Sequence, residues 1–490
     1  MPKYQTIDQR VLLIHPLGYA AQESERDILR LTNTMPPLGL ASVGAWLEKH
    51  GVDVDIVDCF AMPRPDHRIQ ALLHERPPAF VGLTCTTHSY PDAVRIARLV
   101  KAVNPEIKTV IGGPHASGMG KIILNHEAAI DFIVVGEGES PMLELVQREG
   151  RDLAEVKGLC FRDTSGQAVF TGLQTKLLEL DSLPFPAYHK LPGYPGTYTL
   201  PLFNYPRTPN ASCVASRGCP YQCSYCDRSV FRRTFRCNSA EYLYQHLQYL
   251  HQRWGIRHVN FYDDQFTLQR ERVEKFCRLM LDQPLGVSFN CAVRAEHVDL
   301  PLLKLMKAAG CWMVSLGIET GDPELLARHR QNSDLEMLAE KVRDIKRAGI
   351  RTKALMMIGL PGENEQTFQN TMKYLFSLPV DDVNLAKFTP FPGSPLYQEI
   401  HRFGQFEENF EKMDCMNFVF IPEGMTRARL DQLFAKFYRR HFMRPRTLWG
   451  YLTMIWRSPD SWRRFWKYAG SYLAFARSNQ RIRKTKPSKL

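Results

Sequence analysis

Arg217-Gly218-Cys219-Pro220-Tyr221-Gln222-Cys223-Ser224-Tyr225-Cys226 is the stretch from which the rest of the chain can be read. Its three cysteines follow the spacing C-x3-C-x2-C, with an aromatic residue just before the third. Three thiolates this close ligate three irons of a [4Fe–4S] cube and leave the fourth iron without a protein ligand. An open iron binds a small molecule and passes it an electron. A structural zinc site is the competing reading. It needs a fourth Cys or His at close range, and Cys213 or Cys237 would have to serve.

Downstream of the motif, strand and helix patterns alternate. Predicted strands are Ser212–Ala215, His258–Tyr262, Val287–Cys291, Met313–Leu316, Lys353–Ile358 and Asp382–Lys387. Predicted helices fill the gaps, such as Ala240–Trp254, Arg270–Leu281 and Leu335–Ala348. Six such units predict a partial (βα)6 TIM-type barrel over residues 211–400, with functional groups at the carboxyl ends of its strands. Those ends carry Asp263-Asp264-Gln265, Arg294, Glu319 and Gly359.

Upstream, residues 1–150 show the same alternation. Val11–Ile14, Val54–Val57, Phe80–Thr84, Thr109–Ile111 and Phe132–Val135 alternate with amphipathic stretches such as Leu38–His50 and Asp92–Val103. This predicts an α/β, Rossmann-like, doubly wound parallel sheet. Its strands end in His15-Pro16-Leu17-Gly18, Thr84-Cys85-Thr86-Thr87, Gly112-Gly113-Pro114-His115 and Gly136-Glu137-Gly138-Glu139, where open α/β sheets bind ligands. Residues 151–210, interrupted by seven prolines from Pro184 to Pro209, read as a linker with short strands around Gly158–Thr171. Residues 401–490 read as a C-terminal helical tail.

The cysteine motif resembles the signature of the radical S-adenosylmethionine (SAM) enzymes. The upstream domain resembles the cobalamin-binding domain that precedes the radical core in one large subclass. The matching pieces there are Pro36-Pro37-Leu38-Gly39-Leu40, Gly112-Gly113-Pro114-His115 and Val135-Gly136-Glu137-Gly138-Glu139. The resemblance implies three cofactors: a [4Fe–4S] cluster on Cys219, Cys223 and Cys226, SAM, and cobalamin. It implies SAM contacts from Tyr225, Asp263, Asp264, Arg294, Glu319 and Gly359, and cobalamin contacts from Thr84, Gly112, Gly113, His115, Gly136 and Glu137. The D-x-H-x-x-G motif that supplies a cobalt-ligating histidine in related domains is absent after the first strand, which leaves cobalt without an axial histidine from that position. Lys387-Phe388-Thr389-Pro390-Phe391-Pro392-Gly393-Ser394-Pro395 resembles the end of the subclass's barrel.

The composition fits this reading. Twelve cysteines in 490 residues do not suggest a disulfide framework; Cys59, Cys160, Cys277, Cys291, Cys311 and Cys415 lie in apolar settings and read as core. No signal peptide and no run of about 18 uncharged apolar residues appears, so a cytoplasmic protein is expected. The formal charge of +12 is concentrated: from Lys436 to the end there are 15 Lys plus Arg and one acid, Asp460. A near-neutral body argues against a nucleic-acid partner. The tail instead interleaves basic residues with Trp449, Trp456, Trp462 and Trp466. That pattern suits peripheral contact with the inner membrane face, or a packed helical subdomain ending in a disordered basic stretch.

The function expected is methylation of an unactivated carbon of an apolar substrate (a lipid, polyprenoid or tetrapyrrole), with electrons from a donor such as flavodoxin or ferredoxin. The alternative is the same radical start ending in oxidative cyclisation or carbon–carbon bond formation, as in the anaerobic tetrapyrrole cyclases. An iron–sulfur electron carrier or redox sensor would have no use for the polar strand ends.

Overall fold

The computed structural model describes residues 7–18 and 33–470. Two sheets make up the body. The first has the order β2-β1-β3-β4-β5-β6-β7. Its strands β1 (Ile7–His15), β2 (Val52–Asp58), β3 (Phe80–Thr84), β4 (Lys108–Gly112) and β5 (Phe132–Val134) run parallel. Strands buried on both faces send alternate side chains to different layers. Val11 and Leu13 enter the core shared with helices Leu38–Lys49 and Glu139–Gln147. Leu12 and Ile14 enter the core under helices Pro65–Glu75, Tyr90–Val103 and Pro114–His126. The expected doubly wound sheet is thus observed.

The linker reading needs correction. β6 (Leu159–Arg162) and β7 (Ala168–Phe170) pair antiparallel onto β5 and extend the first sheet to residue 170. The prolines that suggested a connector begin only after them.

The second sheet is the partial barrel, of order β15-β14-β13-β12-β11-β8 and parallel throughout. Its strands are β8 (Asn210–Cys213), β11 (His258–Phe261), β12 (Ser288–Val293), β13 (Cys311–Glu319), β14 (Arg351–Ile358) and β15 (Asp382–Lys387). Two small antiparallel pairs decorate it: β9 (Ser216–Arg217) with β10 (Arg236–Cys237), and β16 (Gly404–Phe406) with β17 (Phe420–Pro422). One apolar core runs from Leu13 of the first sheet and Leu40 of the helix on it to Phe261 and Val314 of the barrel, so the two sheets pack as a unit.

Helices Arg427–Phe442, Pro445–Arg457 and Pro459–Lys467 end the described chain. Tyr451 bonds Asp382 at the start of β15 (3.1 Å), and Asp460 takes the backbone and hydroxyl of Thr208 just before β8 (2.9 and 2.8 Å). The tail therefore closes the amino-terminal end of the barrel. The disorder expected for residues 481–490 falls outside the described residues. No helix among the described residues is long and apolar enough to cross a membrane.

Candidate functional site

Two adjoining cavities, each of about 370 Å³, lie between the carboxyl ends of the two sheets. They share Pro114, Val230, Phe231 and Asp264 as a common wall.

The barrel-side cavity is built around the cysteine loop. Cys219, Cys223 and Cys226 all line it. Gly218 makes the loop possible: its φ is +84°, and a Cβ there would lie 2.2 Å from the Thr234 carbonyl oxygen. Ser224 anchors the loop, its hydroxyl on His329 Nδ1 (2.8 Å) and its N–H on the His329 carbonyl (3.1 Å). The segment 387–395 packs on from the other side. Leu396 N–H donates to Ser224 O (3.2 Å) and Gly393 N–H to Asp227 (3.3 Å).

The donor set fits an iron–sulfur cube. Cys226 is exposed and lines the cavity. The Cys226 thiol hydrogen-bonds Cys223 and, with the Arg294 guanidinium, pulls the Cys223 thiol down to about 5; Arg294 Nη1 lies 3.6 Å from its sulfur. A thiol this acidic is a ready thiolate ligand. Among the described residues no three His, Cys, Asp or Glu side chains converge on one point that would hold a single ion. A cube does not require convergence, since each thiolate takes a different iron.

Around the cysteines, Tyr225, Asp264, Arg294 and Glu319 line the cavity. Arg294 stacks on the Tyr221 ring (3.8 Å) and is held by Glu296 (2.7 Å) and the Gln331 carbonyl (2.9 Å). Glu319 ends β13 at a register shift with φ +66°, a conformation few non-glycine residues keep without a reason. Burial pushes its carboxyl up to about 7, and Arg330, 3.6 Å away, pulls the other way. Gly317 leaves room for this pair, because a Cβ there would lie 2.5 Å from Glu319 Oε1. Gln265 is 7 % exposed and lines the cavity, and its Oε1 has no partner. An orphaned buried acceptor among carboxylates fits a ligand rich in donors, such as the amino end of SAM.

Two residues expected to contact SAM lie off this cavity. Asp263 does not line the cavity: its carboxylate is buried and accepts the Ala215 N–H at 2.6 Å, fixing the end of β8. Gly359 also lies outside; its N–H donates to Glu363, whose buried carboxyl is pushed up to about 7. Adjacent residues on a strand end point opposite ways, and the sequence alone could not say which acid faces inward.

The second cavity is lined by Thr84, Gly112, Gly113, Gly136 and Glu137, and by Leu38, Leu40 and Val43. It reaches the sheet face at Leu13, Gly82, Val110, Val134 and Met142, and the barrel side closes it with Val214, Tyr262 and Asp264. A wide mouth lined by glycines over an apolar slot fits a bulky planar ring carrying an aromatic appendage, as cobalamin does. His115, also expected to contact cobalamin, lines neither cavity. It is fully buried beneath Tyr90 and Phe410, with Nδ1 3.3 Å from Thr87 Oγ1 and a pKa lowered to about 4 by burial. The cavity does contain a histidine that sequence reading passed over, His246, whose Nε2 meets Tyr188 OH at 3.2 Å.

Sequence reading also missed a buried charge cluster beside this cavity. Arg217 donates to Glu137, Glu139 and Ser42, and Arg236 donates to Glu137. Long-range pairs of this kind leave no local pattern to read.

Comparisons with known proteins agree with this architecture. Residues 213–375 match the Radical SAM superfamily, and residues 27–146 the B12 binding domain. The anaerobic magnesium-protoporphyrin IX monomethyl ester cyclase of Rubrivivax gelatinosus is 30% identical over 444 residues, covering 89% of this chain and 77% of that protein. The chain belongs to the cobalamin-binding branch of the radical SAM superfamily. An uncharacterized methyltransferase of Pyrococcus horikoshii is 28% identical over 445 residues (90% of this chain, 94% of that one). The hopanoid C-3 methylase of Methylococcus capsulatus is 28% identical over 371 residues (74% and 68%). In structure, the radical SAM methyltransferase of Kitasatospora setae with cobalamin and a [4Fe–4S] cluster bound superposes with TM-score 0.64 at 20% identity, covering 80% of this chain and 75% of that one. This radical SAM protein is an enzyme whose cofactors are a [4Fe–4S] cluster, SAM and cobalamin.

Proposed function

We propose that this enzyme methylates an unactivated carbon of an apolar substrate, and that the substrate carbon sits at the wall shared by the two cavities. The observation that carries the reading is that wall: Pro114, Val230, Phe231 and Asp264 line both the cysteine cavity and the glycine-lined cavity. The bound cofactors supply the electron transfer, the adenosyl radical and the methyl group. Cys219, Cys223 and Cys226 would hold the cluster, with Arg294 stabilising the thiolate of Cys223. Gln265, Asp264 and Glu319 would take the donors of SAM, and Tyr225 would flank its adenine. The loops at Thr84, Gly112–Gly113 and Gly136–Glu137 would seat cobalamin. Val230 and Phe231 exclude water from the shared wall, which protects a radical from quenching.

In net terms, one C–H hydrogen leaves as part of 5′-deoxyadenosine, and a second SAM supplies the methyl group. Two electrons come from a low-potential donor such as flavodoxin or ferredoxin. The names of the hopanoid and other methyltransferase relatives support methyl transfer. The 30% identity to a tetrapyrrole cyclase supports the second reading, oxidative cyclisation. The basic tail favours work at the inner membrane face.

The test is anaerobic turnover with methyl-deuterated SAM and a reductant, on an extract of a strain lacking the protein. One product should gain a labelled methyl group and be missing from the untreated extract. Formation of 5′-deoxyadenosine with a product that carries no label would transfer the assignment to cyclisation.

A further inference from the structure

Helix Pro445–Arg457 is apolar on two sides. Thr447 and Met454 are buried, and Tyr451 bonds Asp382, so this side is committed to the barrel. Leu448, Trp449, Leu452, Ile455 and Trp456 recur at i, i+1, i+4, i+7 and i+8, which is one continuous helical stripe. All five are exposed, Leu448 at 58 %, Trp449 at 64 % and Trp456 at 72 %. Met443 (70 %) before the helix and Trp466 (68 %) on the next one are exposed as well. A soluble surface seldom keeps two open tryptophans in one stripe without a use for them. Trp462 does not belong to it, since its ring packs edge-on against Phe203.

The surroundings are cationic. Arg446 and Arg457 are exposed on the same helix, and Arg463 and Lys467 on the next. Asp460, the one acid from residue 443 onward, accepts from Thr208 and pairs with Arg463 (3.3 Å). The 20 residues after Gly470 add six Lys plus Arg and no acid.

We infer that this stripe is an interfacial anchor that lies in the headgroup region of an anionic bilayer and fixes the orientation of the enzyme. Tryptophan favours the boundary between headgroups and acyl chains, and the flanking cations suit anionic lipid. The tail sits where β8 and β15 begin, whereas the cysteine loop and Glu319 lie where β8 and β13 end. About six residues of strand at 3.3 Å each separate the two ends, on the order of 20 Å. Anchoring therefore turns the cofactor cavities away from the lipid. A membrane-derived substrate must leave the bilayer to reach them. This deepens the proposed placement at the membrane and holds whichever reaction the site performs.

The experiment uses the full chain with vesicles of phosphatidylcholine containing phosphatidylglycerol, against phosphatidylcholine alone. Binding to the anionic vesicles is expected to fall with salt but not to zero, with tryptophan fluorescence moving to shorter wavelength. W449S/W456S should remove the salt-resistant part and weaken binding by about tenfold, while 5′-deoxyadenosine formation in solution stays the same. Absence of binding at low salt, or binding indifferent to the double substitution, overturns the inference. So does a concentration-dependent dimer that the substitution dissolves, which would make a second copy the occupant. Loss of 5′-deoxyadenosine formation by the unaltered protein would count against the proposed chemistry and leave the anchor standing.

Discussion

Arg217 and Glu139 form an ion pair across the seam between the two sheets, with side chains only 14% and 4% exposed. Arg217 lies two residues before the first cysteine of the cluster loop, and Glu139 opens the helix beside the glycine-lined cavity. R217M leaves the Glu139 carboxylate buried without a cation and is expected to cost about 3–5 kcal/mol, read by denaturant unfolding. E139Q should cost less, because Arg217 keeps Glu137, and the double variant less than the sum of the two. Equal additivity would show that the pair does not couple.

The same pair sets a pH dependence. Arg217 holds the Glu139 carboxyl below its ordinary 4.5 despite burial. A depressed pKa contributes stability that is present above 4.5 and lost as the pH falls through the lowered value. Unfolding free energy measured from pH 6 down to pH 3 should drop more steeply for the native protein than for E139Q. Parallel curves would remove Glu139 from the account of acid sensitivity.

Replacing Cys219, Cys223 and Cys226 together with Ala should abolish iron and cluster absorbance after anaerobic reconstitution. A triple variant that still holds four irons would move the cluster elsewhere in the chain.

The two neighbouring aspartates should part company. D264N is expected to weaken SAM binding, measured by equilibrium dialysis, with little change in stability. D263N should leave SAM affinity alone and destabilise by about 1–3 kcal/mol, since it disturbs the buried bond to Ala215. The reverse pattern would return Asp263 to the binding site.

His115→Ala should retain cobalamin after hydroxocobalamin loading and desalting, because His115 lines neither cavity. Loss of the cobalt spectrum with the fold intact would show that the histidine reaches the metal.

Much of this molecule could be read from sequence. β11, β14 and β15 fall within two residues of their predicted spans, because β11 and β15 alternate polar and apolar residues, β14 ends in an apolar run, and clear helices bound each. β13 runs on to Glu319, beyond the predicted Leu316, because a register shift near Gly317 lets the pairing continue where the apolar run stops. The cysteine spacing pointed to the cavity, but Gln265 was legible only as one of three polar residues at a strand end, and Arg330 did not announce itself. Their significance is a matter of which way they face, and facing is decided by packing far away in the chain. The Arg217 cluster joins residues about 80 and 175 positions apart, a separation at which no periodic pattern survives. In the tail, four tryptophans looked equivalent until the fold separated Trp462 from Trp449, Trp456 and Trp466.

The wall of Pro114, Val230, Phe231 and Asp264 has a stereochemical consequence. A carbon held there has one cavity on each side of it. If its hydrogen departs toward the cysteine loop and the methyl group arrives from the glycine-lined side, the newcomer occupies the opposite face. Substrate carrying deuterium in one of two mirror-related positions should then lose it from a single position and yield product of inverted configuration.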